Sequence, residues 1–137
     1  MRYRPLGQTG ERVSNLGFGC MRLPVIDGRE DRIDEDKATK LLRYAIDLGV
    51  NYVDTAYPDH QGMSEPFVGR ALQGGYRDKV FLATKLPSWH IQQASDCESY
   101  LNEQLQRLQT ERIDCYLLHN IKKEWWERLL DCGVLEF

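Results

Sequence analysis

A chain of 137 residues with 42% hydrophobic and 28% charged side chains has the size and composition of one globular domain with a real core. Its net charge of −3 leaves no electrostatic footprint for nucleic acid or an anionic membrane. Met1-Arg2-Tyr3-Arg4-Pro5 lacks the apolar core of a secretory signal, and no apolar run approaches the roughly 20 residues of a membrane span, so a cytoplasmic setting is expected.

In chain order, residues Arg2 to Asn15 read as a small β-hairpin turning at Gln8-Thr9-Gly10. Leu16 to Cys20 is the first core strand, followed by a loop through Arg22-Leu23-Pro24 and a charged stretch from Asp27 to Lys37. Asp34 then caps a helix that stops at Gly49, with Glu35 and Asp36 in its first turn and Ala38, Leu41, Leu42, Ala45 and Ile46 on its apolar face. Val50 to Asp54 is a second strand. Ser64 is the expected cap of a helix that carries Pro66 in its first turn, buries Phe67, Val68, Ala71 and Leu72, and ends at Gly74-Gly75.

Lys79 to Thr84 forms a third strand. Ser95-Asp96-Cys97-Glu98 reads as a capping box opening a helix with Leu101, Leu105 and Leu108 on one face. Ile113 to Leu118 is a fourth strand, and Lys123 to Asp131 is a short helix containing Trp125 and Trp126, one of which is expected to cover the rim of the fold. Gly133 to Phe137 resembles the opening of a further helix. The fold class is α/β: parallel (β/α) units of a TIM barrel, four of the eight, with an N-terminal β-hairpin. A complete barrel needs about 250 residues, so three arrangements stand open: a fragment, an open sheet, or two associating copies. The fragment is the expected one.

Three strand ends carry chemistry: Asp54 in Tyr52-Val53-Asp54-Thr55-Ala56, Lys85 in Phe81-Leu82-Ala83-Thr84-Lys85, and His119 in Asp114-Cys115-Tyr116-Leu117-Leu118-His119. They are 31 and 34 residues apart, about one strand–helix–strand unit each. In a parallel barrel the C-terminal strand ends converge on one mouth, so these side chains should meet there. A lysine at an apolar strand end also needs a partner. Other clusters read more plainly. Cys20, Cys97, Cys115 and Cys132 contain no C-x-x-C pair and are ordinary thiols. His60 and His90 are loop residues rather than ligands, and no metal site is expected. Gly17-Phe18-Gly19 lacks the third glycine of a dinucleotide fingerprint, and Asp27 to Asp36 lacks calcium-loop spacing.

Leu16-Gly17-Phe18-Gly19-Cys20-Met21-Arg22, Asp54-Thr55-Ala56, Ser64-Glu65, Thr84-Lys85 and Leu117-Leu118-His119, in this order and spacing, resemble the aldo/keto reductase family across essentially the whole chain. The segment after Asp54 and the Leu-Leu-His-Asn ending look most like the branch whose longer members add a C-terminal iron–sulfur region; no cluster is implied here. The resemblance implies an NADP(H)-dependent (β/α)8 barrel that reduces aldehydes and ketones, with residues 1–137 as its N-terminal half, ending partway through. It implies a small carbonyl substrate, and neither nucleic acid nor membrane as partner. By position, Asp54 pairs with Lys85, Lys85 tunes the proton donor and His119 orients the carbonyl. Gly19, Cys20, Met21, Arg22, Asp54 and Asn120 contribute to the nicotinamide end of the cofactor site, and Trp89 to the substrate pocket.

The family's proton-donating tyrosine lies five positions after the aspartate, and here that position is Asp59. A phenol titrates near about 10 and a carboxyl near about 4, so Asp59 is expected to be ionised beside Lys85 unless desolvation overcomes the pairing. Tyr57, offset by three, should point elsewhere. Loss of a general acid costs on the order of 10² to 10⁴ in rate, so weak or absent turnover is expected. Much of the cofactor site implied by the resemblance comes from later strands. The alternative is a non-catalytic half-barrel that acts as an interaction module or self-associates through open sheet edges.

Overall fold

The computed structural model describes residues 1–137. Strands β1 (Tyr3–Pro5) and β2 (Arg12–Ser14) form an antiparallel hairpin. It is tied to the following sheet by Asn51, whose side chain accepts from the Ser14 amide at 2.7 Å and donates to the Arg12 carbonyl at 2.9 Å. The main sheet is parallel throughout, in the order β3 (Phe18–Gly19), β4 (Tyr52–Asp54), β5 (Phe81–Leu86), β6 (Cys115–Leu118). Between them run α1 (Glu35–Asp47), α2 (Ser64–Ala71) and α3 (Ala94–Leu108), and α4 (Lys123–Asp131) follows β6. This is the expected four-unit parallel α/β arrangement with its N-terminal hairpin. No helix is long and apolar enough to cross a membrane.

Along β5 the side chains alternate. Leu82, Thr84 and Leu86 face the helices, and Ala83 and Lys85 face the opposite, concave side, as the two-residue period of a strand requires. The helix side holds two apolar clusters. The larger joins Val53 and Leu82 to Leu42 and Ile46 of α1, Phe67, Val68 and Ala71 of α2, and Leu108 of α3. The smaller joins Leu86 and Ile91 to Cys97, Leu129 and Val134, with Trp125 and Trp126 packed against it. Both tryptophans are therefore half-buried, and neither is left as an exposed patch.

Several boundaries differ from expectation. β3 is two residues rather than five. β5 runs on to Leu86, which places Lys85 inside the strand. Ser64 does not cap α2; Met63 occupies the cap without a side-chain bond, and the Ser64 hydroxyl turns inward to Thr55 and the Cys20 carbonyl. The capping box of α3 is Gln93 with Asp96, because Asp96 Oδ2 reaches back to the amides of Gln92 and Gln93. Leu41 is exposed and Ala45 only half-buried, so the core face of α1 narrows to Ala38, Leu42 and Ile46. Leu101 and Leu105 are half-buried and line a groove instead of the core. Residues 133–137 close α4 by turns, with Val134 donating to the Leu129 carbonyl, and open no new helix. The Asp34 cap is as expected, accepting from the Lys37 amide.

α2 and α3 cross at Gly69. A Cβ placed there would sit 2.7 Å from the backbone carbonyl of Leu108 and 2.8 Å from that of Arg107, so only glycine allows this approach. Gly69→Ala is expected to destabilise the fold by about 1–3 kcal/mol through overpacking, measurable as a lowered urea midpoint at unchanged slope.

Candidate active site

The parallel register brings the three strand ends to one rim. Gly19 pairs with Asp54, and Asp54 with Ala83; Lys85 pairs with Leu117, two residues before His119. Asp54, last in β4, and Lys85, next to last in β5, both point to the concave face. Lys85 Nζ donates to Asp54 Oδ1 at 2.7 Å and to the Thr55 carbonyl at 2.7 Å. This is the partner that a lysine at an apolar strand end needed. The ammonium is held by one carboxylate and one carbonyl in a fixed, half-buried position.

Asp59 follows at the start of a 3₁₀ turn, Asp59–Gly62. Its half-buried carboxyl faces Lys85 and His119, with Asp54 and His60 nearby. Burial pushes its titration up from the ordinary carboxylate value, while Lys85 and then His119 pull the other way. Desolvation outweighs the Lys85 and His119 charges in setting the direction, where the pairing with Lys85 was expected to dominate. His119 is moved in the opposite sense: burial first, then the Lys85 charge, lowers it, so at neutral pH it is a neutral imidazole. Its Nδ1 is buried without a hydrogen-bond partner, and its ring meets Trp89 edge-on at 5.1 Å. Asp54, Asp59, Lys85 and His119 therefore share one site, with Trp89 at its wall.

The residues assigned by resemblance to the cofactor divide. Gly19, Met21, Arg22 and Asn120 lie exposed on the rim; space beside Gly19 is open, and Arg22 forms no ion pair or hydrogen bond. Cys20 lies behind the rim. Its thiol is fully buried in the larger cluster and pushed up in pKa, first by burial and then by Asp54 and Asp59. Its amide donates to the Asp54 carbonyl at 2.8 Å and its carbonyl accepts from Ser64 Oγ at 3.2 Å. Cys20 joins strand ends, with its amide and carbonyl both bonded within the chain.

Two elements behind the site were not anticipated. Glu65 is fully buried; its Oε1 accepts from Thr84 Oγ1 at 2.6 Å and Gln104 Nε2 at 2.5 Å, and its Oε2 lies 3.1 Å from Arg107 Nε as an ion pair. Burial still raises its pKa, against those hydrogen bonds and Arg107. The signal for it was helical spacing: Glu65 lies three residues before Val68 and seven before Leu72, on the core face of α2. His60 is also buried rather than a plain loop residue. Its Nε2 accepts the Leu23 amide at 3.0 Å, so Nδ1 carries the proton, 2.8 Å from the Glu30 carbonyl.

With the geometry in place, comparison with known proteins is direct. The model of the aldo/keto reductase family matches residues 15–133. Aldo-keto reductase YhdN of Bacillus subtilis is 36% identical over 129 residues, spanning 87% of this chain and 38% of that protein. The uncharacterised oxidoreductase YqkF of the same organism is 34% identical over 155 residues, spanning 100% of this chain and 47% of that protein. Among solved structures, the holo form of aldo-keto reductase AKR11C1 from Bacillus halodurans superposes with a TM-score of 0.81 at 35% identity, over 100% of this chain and 45% of that one. An aldo-keto reductase from Klebsiella pneumoniae in complex with NADPH gives 0.68 at 29%, over 89% of this chain and 43% of that one. A parallel β/α sheet with its polar cluster at the C-terminal strand ends is part of a (β/α) barrel architecture, as in these solved structures. The chain belongs to the aldo/keto reductase family. It spans between 38% and 47% of the length of these relatives.

The direction of the Asp59 shift fixes a pH dependence. A carboxyl that holds its proton more tightly when folded stabilises the fold fully below the unfolded titration point, about 3.9, and that contribution is lost as pH rises through the folded value. Asp59→Asn removes the ionisation. Urea denaturation should show the variant gaining on the parent as pH rises from 4 towards 8, with the two alike near pH 3.

Proposed function

We propose that this site belongs to NADP(H)-linked reduction of small aldehydes or ketones, with residues 1–137 forming the first four β/α units of the catalytic barrel. The observation that carries it is the Lys85 ammonium, 2.7 Å from Asp54, in a cluster with Asp59 and neutral His119 at the C-terminal ends of parallel strands. The residues on the rim fit the nicotinamide end of the cofactor. Arg22 offers an unpaired cation, Asn120 an exposed amide, Gly19 open space, and the buried Nδ1 of His119 an unused polar atom. The chemistry that NADP(H) would supply here, when bound, is the hydride. Lys85 stabilises the negative charge that develops on the carbonyl oxygen, and Asp54 and the Thr55 carbonyl keep the ammonium in place. His119 orients the carbonyl as a neutral imidazole, and Trp89 limits the space beside it. Proton delivery falls to Asp59, which does so only in its protonated form.

The reading is tested by NADPH titration and turnover. Calorimetric titration of NADPH into the chain, then turnover with a small aldehyde, should give weak activity that Asp59→Tyr raises by about 10² to 10⁴ and Lys85→Met abolishes. Saturable NADPH binding with no response to either substitution would set the mechanism aside.

A second reading, self-association, is favoured by two apolar flanks. On α1 and its C-terminal cap, Leu41, Tyr44 and Leu48 recur at helical spacing and are 50%, 65% and 56% exposed. Beyond β6, whose outer edge pairs with no strand, a groove of about 530 Å³ is lined by Leu101, Leu105, Ile113, Leu117, Leu135 and Phe137 among others. A second copy related by a two-fold axis would set each flank against the other and bring the strands to eight. Light scattering after gel filtration should give twice the 16.0 kDa of one chain. Leu48→Glu with Leu105→Glu should return it to one; a parent that runs as a monomer at its highest soluble concentration would exclude the dimer.

A further inference from the structure

The segment that carries Asp59 is an unusual piece of backbone. His60 (φ 53, ψ 42) and Gln61 (φ 53, ψ 36) are consecutive non-glycine residues in the left-handed region. Such conformations carry strain and persist only where surrounding contacts over-determine them. Here one guanidinium holds both ends of the segment. Arg107 Nη2 donates to the Tyr57 carbonyl at 3.2 Å and also to the Gly62 carbonyl, and its plane lies 4.3 Å from the centroid of the Tyr57 ring. Its Nε lies 3.1 Å from buried Glu65 Oε2 as an ion pair without a hydrogen bond, and Nη1 lies 3.4 Å from the exposed Glu103 carboxylate. The buried His60 ring fastens the middle of the turn to Leu23 and Glu30.

We propose that Arg107 is the positioning residue of this site: by bridging the carbonyls of Tyr57 and Gly62 it fixes the strained turn that presents Asp59 to Lys85 and His119. The same network sets the lysine. Gln104, which donates to Glu65, also donates to the Lys85 carbonyl at 3.1 Å, so α3 holds both the turn and the strand end from behind. The chemistry calls for arginine, because a planar fork can meet two carbonyls while its Nε edge faces a carboxylate, and a lysine ammonium is a single point charge. Arg107 touches no reacting group and acts only through the turn. The proposal takes from the reading above only that Asp59 belongs to the site.

The test is a titration that needs neither cofactor nor turnover, so failure of NADPH binding and failure of this proposal are separate results. The Asp59 carboxyl, assigned with Asp59→Asn, is followed by ¹³C NMR across the acid range in the parent chain, Arg107→Met and Arg107→Lys. The groups acting on it are Lys85 from β5, His119 after β6, Asp54 from β4 and His60 in its own turn. The parent should titrate above the ordinary carboxylate value. Both variants release the turn, expose the carboxyl to water and should shift the titration down towards that value. An arginine acting by charge alone would give the opposite pattern: Arg107→Met would titrate higher and Arg107→Lys would match the parent. That pattern, or an unmoved titration in both folded variants, overturns the proposal. If Arg107→Met does not fold, Arg107→Lys keeps the charge beside buried Glu65 and carries the same test. A Gln61→Gly background, in which glycine adopts φ of 53 without strain, supports either variant.

Discussion

The arrangement of the site depends on one buried carboxylate. Glu65 sits with no exposed surface between α2, β5 and α3, where an uncompensated charge would be costly. Its position is therefore coupled to everything that compensates it: Thr84 from the strand, Gln104 and Arg107 from the helix. Gln104 continues outward, accepting from the Tyr116 hydroxyl at 2.6 Å and so reaching β6. Two strands and two helices are thus keyed to a single group. Apolar packing supplies most of the drive to fold, yet it tolerates small sliding of helices over a sheet; a chain of short, directional bonds does not.

That polar layer lies directly behind the chemistry. The alternation along β5 puts Thr84 into the Glu65 network and the adjacent Lys85 on the opposite face, bonded to Asp54. Neighbouring residues on one strand therefore join the structural network and the reactive cluster. A shift of one residue in strand register would exchange them and place an ammonium in the core. Gly69 adds a second constraint, since it lets α2 and α3 approach closely enough for Arg107 to reach both Glu65 and the Asp59 turn.

Within the aldo/keto reductase family, the most consequential feature of this chain is the carboxyl at position 59. Its environment raises its proton affinity by burial but also surrounds it with Lys85 and His119, which favour the ionised form. The balance leaves an acid weaker than a free aspartate. The cluster holds a fixed ammonium with its carboxylate and sets beside them a half-buried carboxyl.

The sequence by itself determined the parallel β/α order, the hairpin, the approximate helices and the convergence of Asp54, Lys85 and His119. Those rest on local periodicity and on a chain rule, since successive parallel strands end at the same rim. Glu65 was legible in principle from its place on the apolar face of α2 and was passed over as part of a motif. Other features were decided only in three dimensions. The inward turn of Ser64 and the burial of Cys20 and His60 depend on groups 9 to 44 residues away in sequence. The Asp59 shift depends on a competition between desolvation and charge that no linear pattern encodes. Arg107 belongs with these: on α3 it reads as an ordinary basic helix residue, and only the crossing at Gly69 places its guanidinium under the turn that carries Asp59.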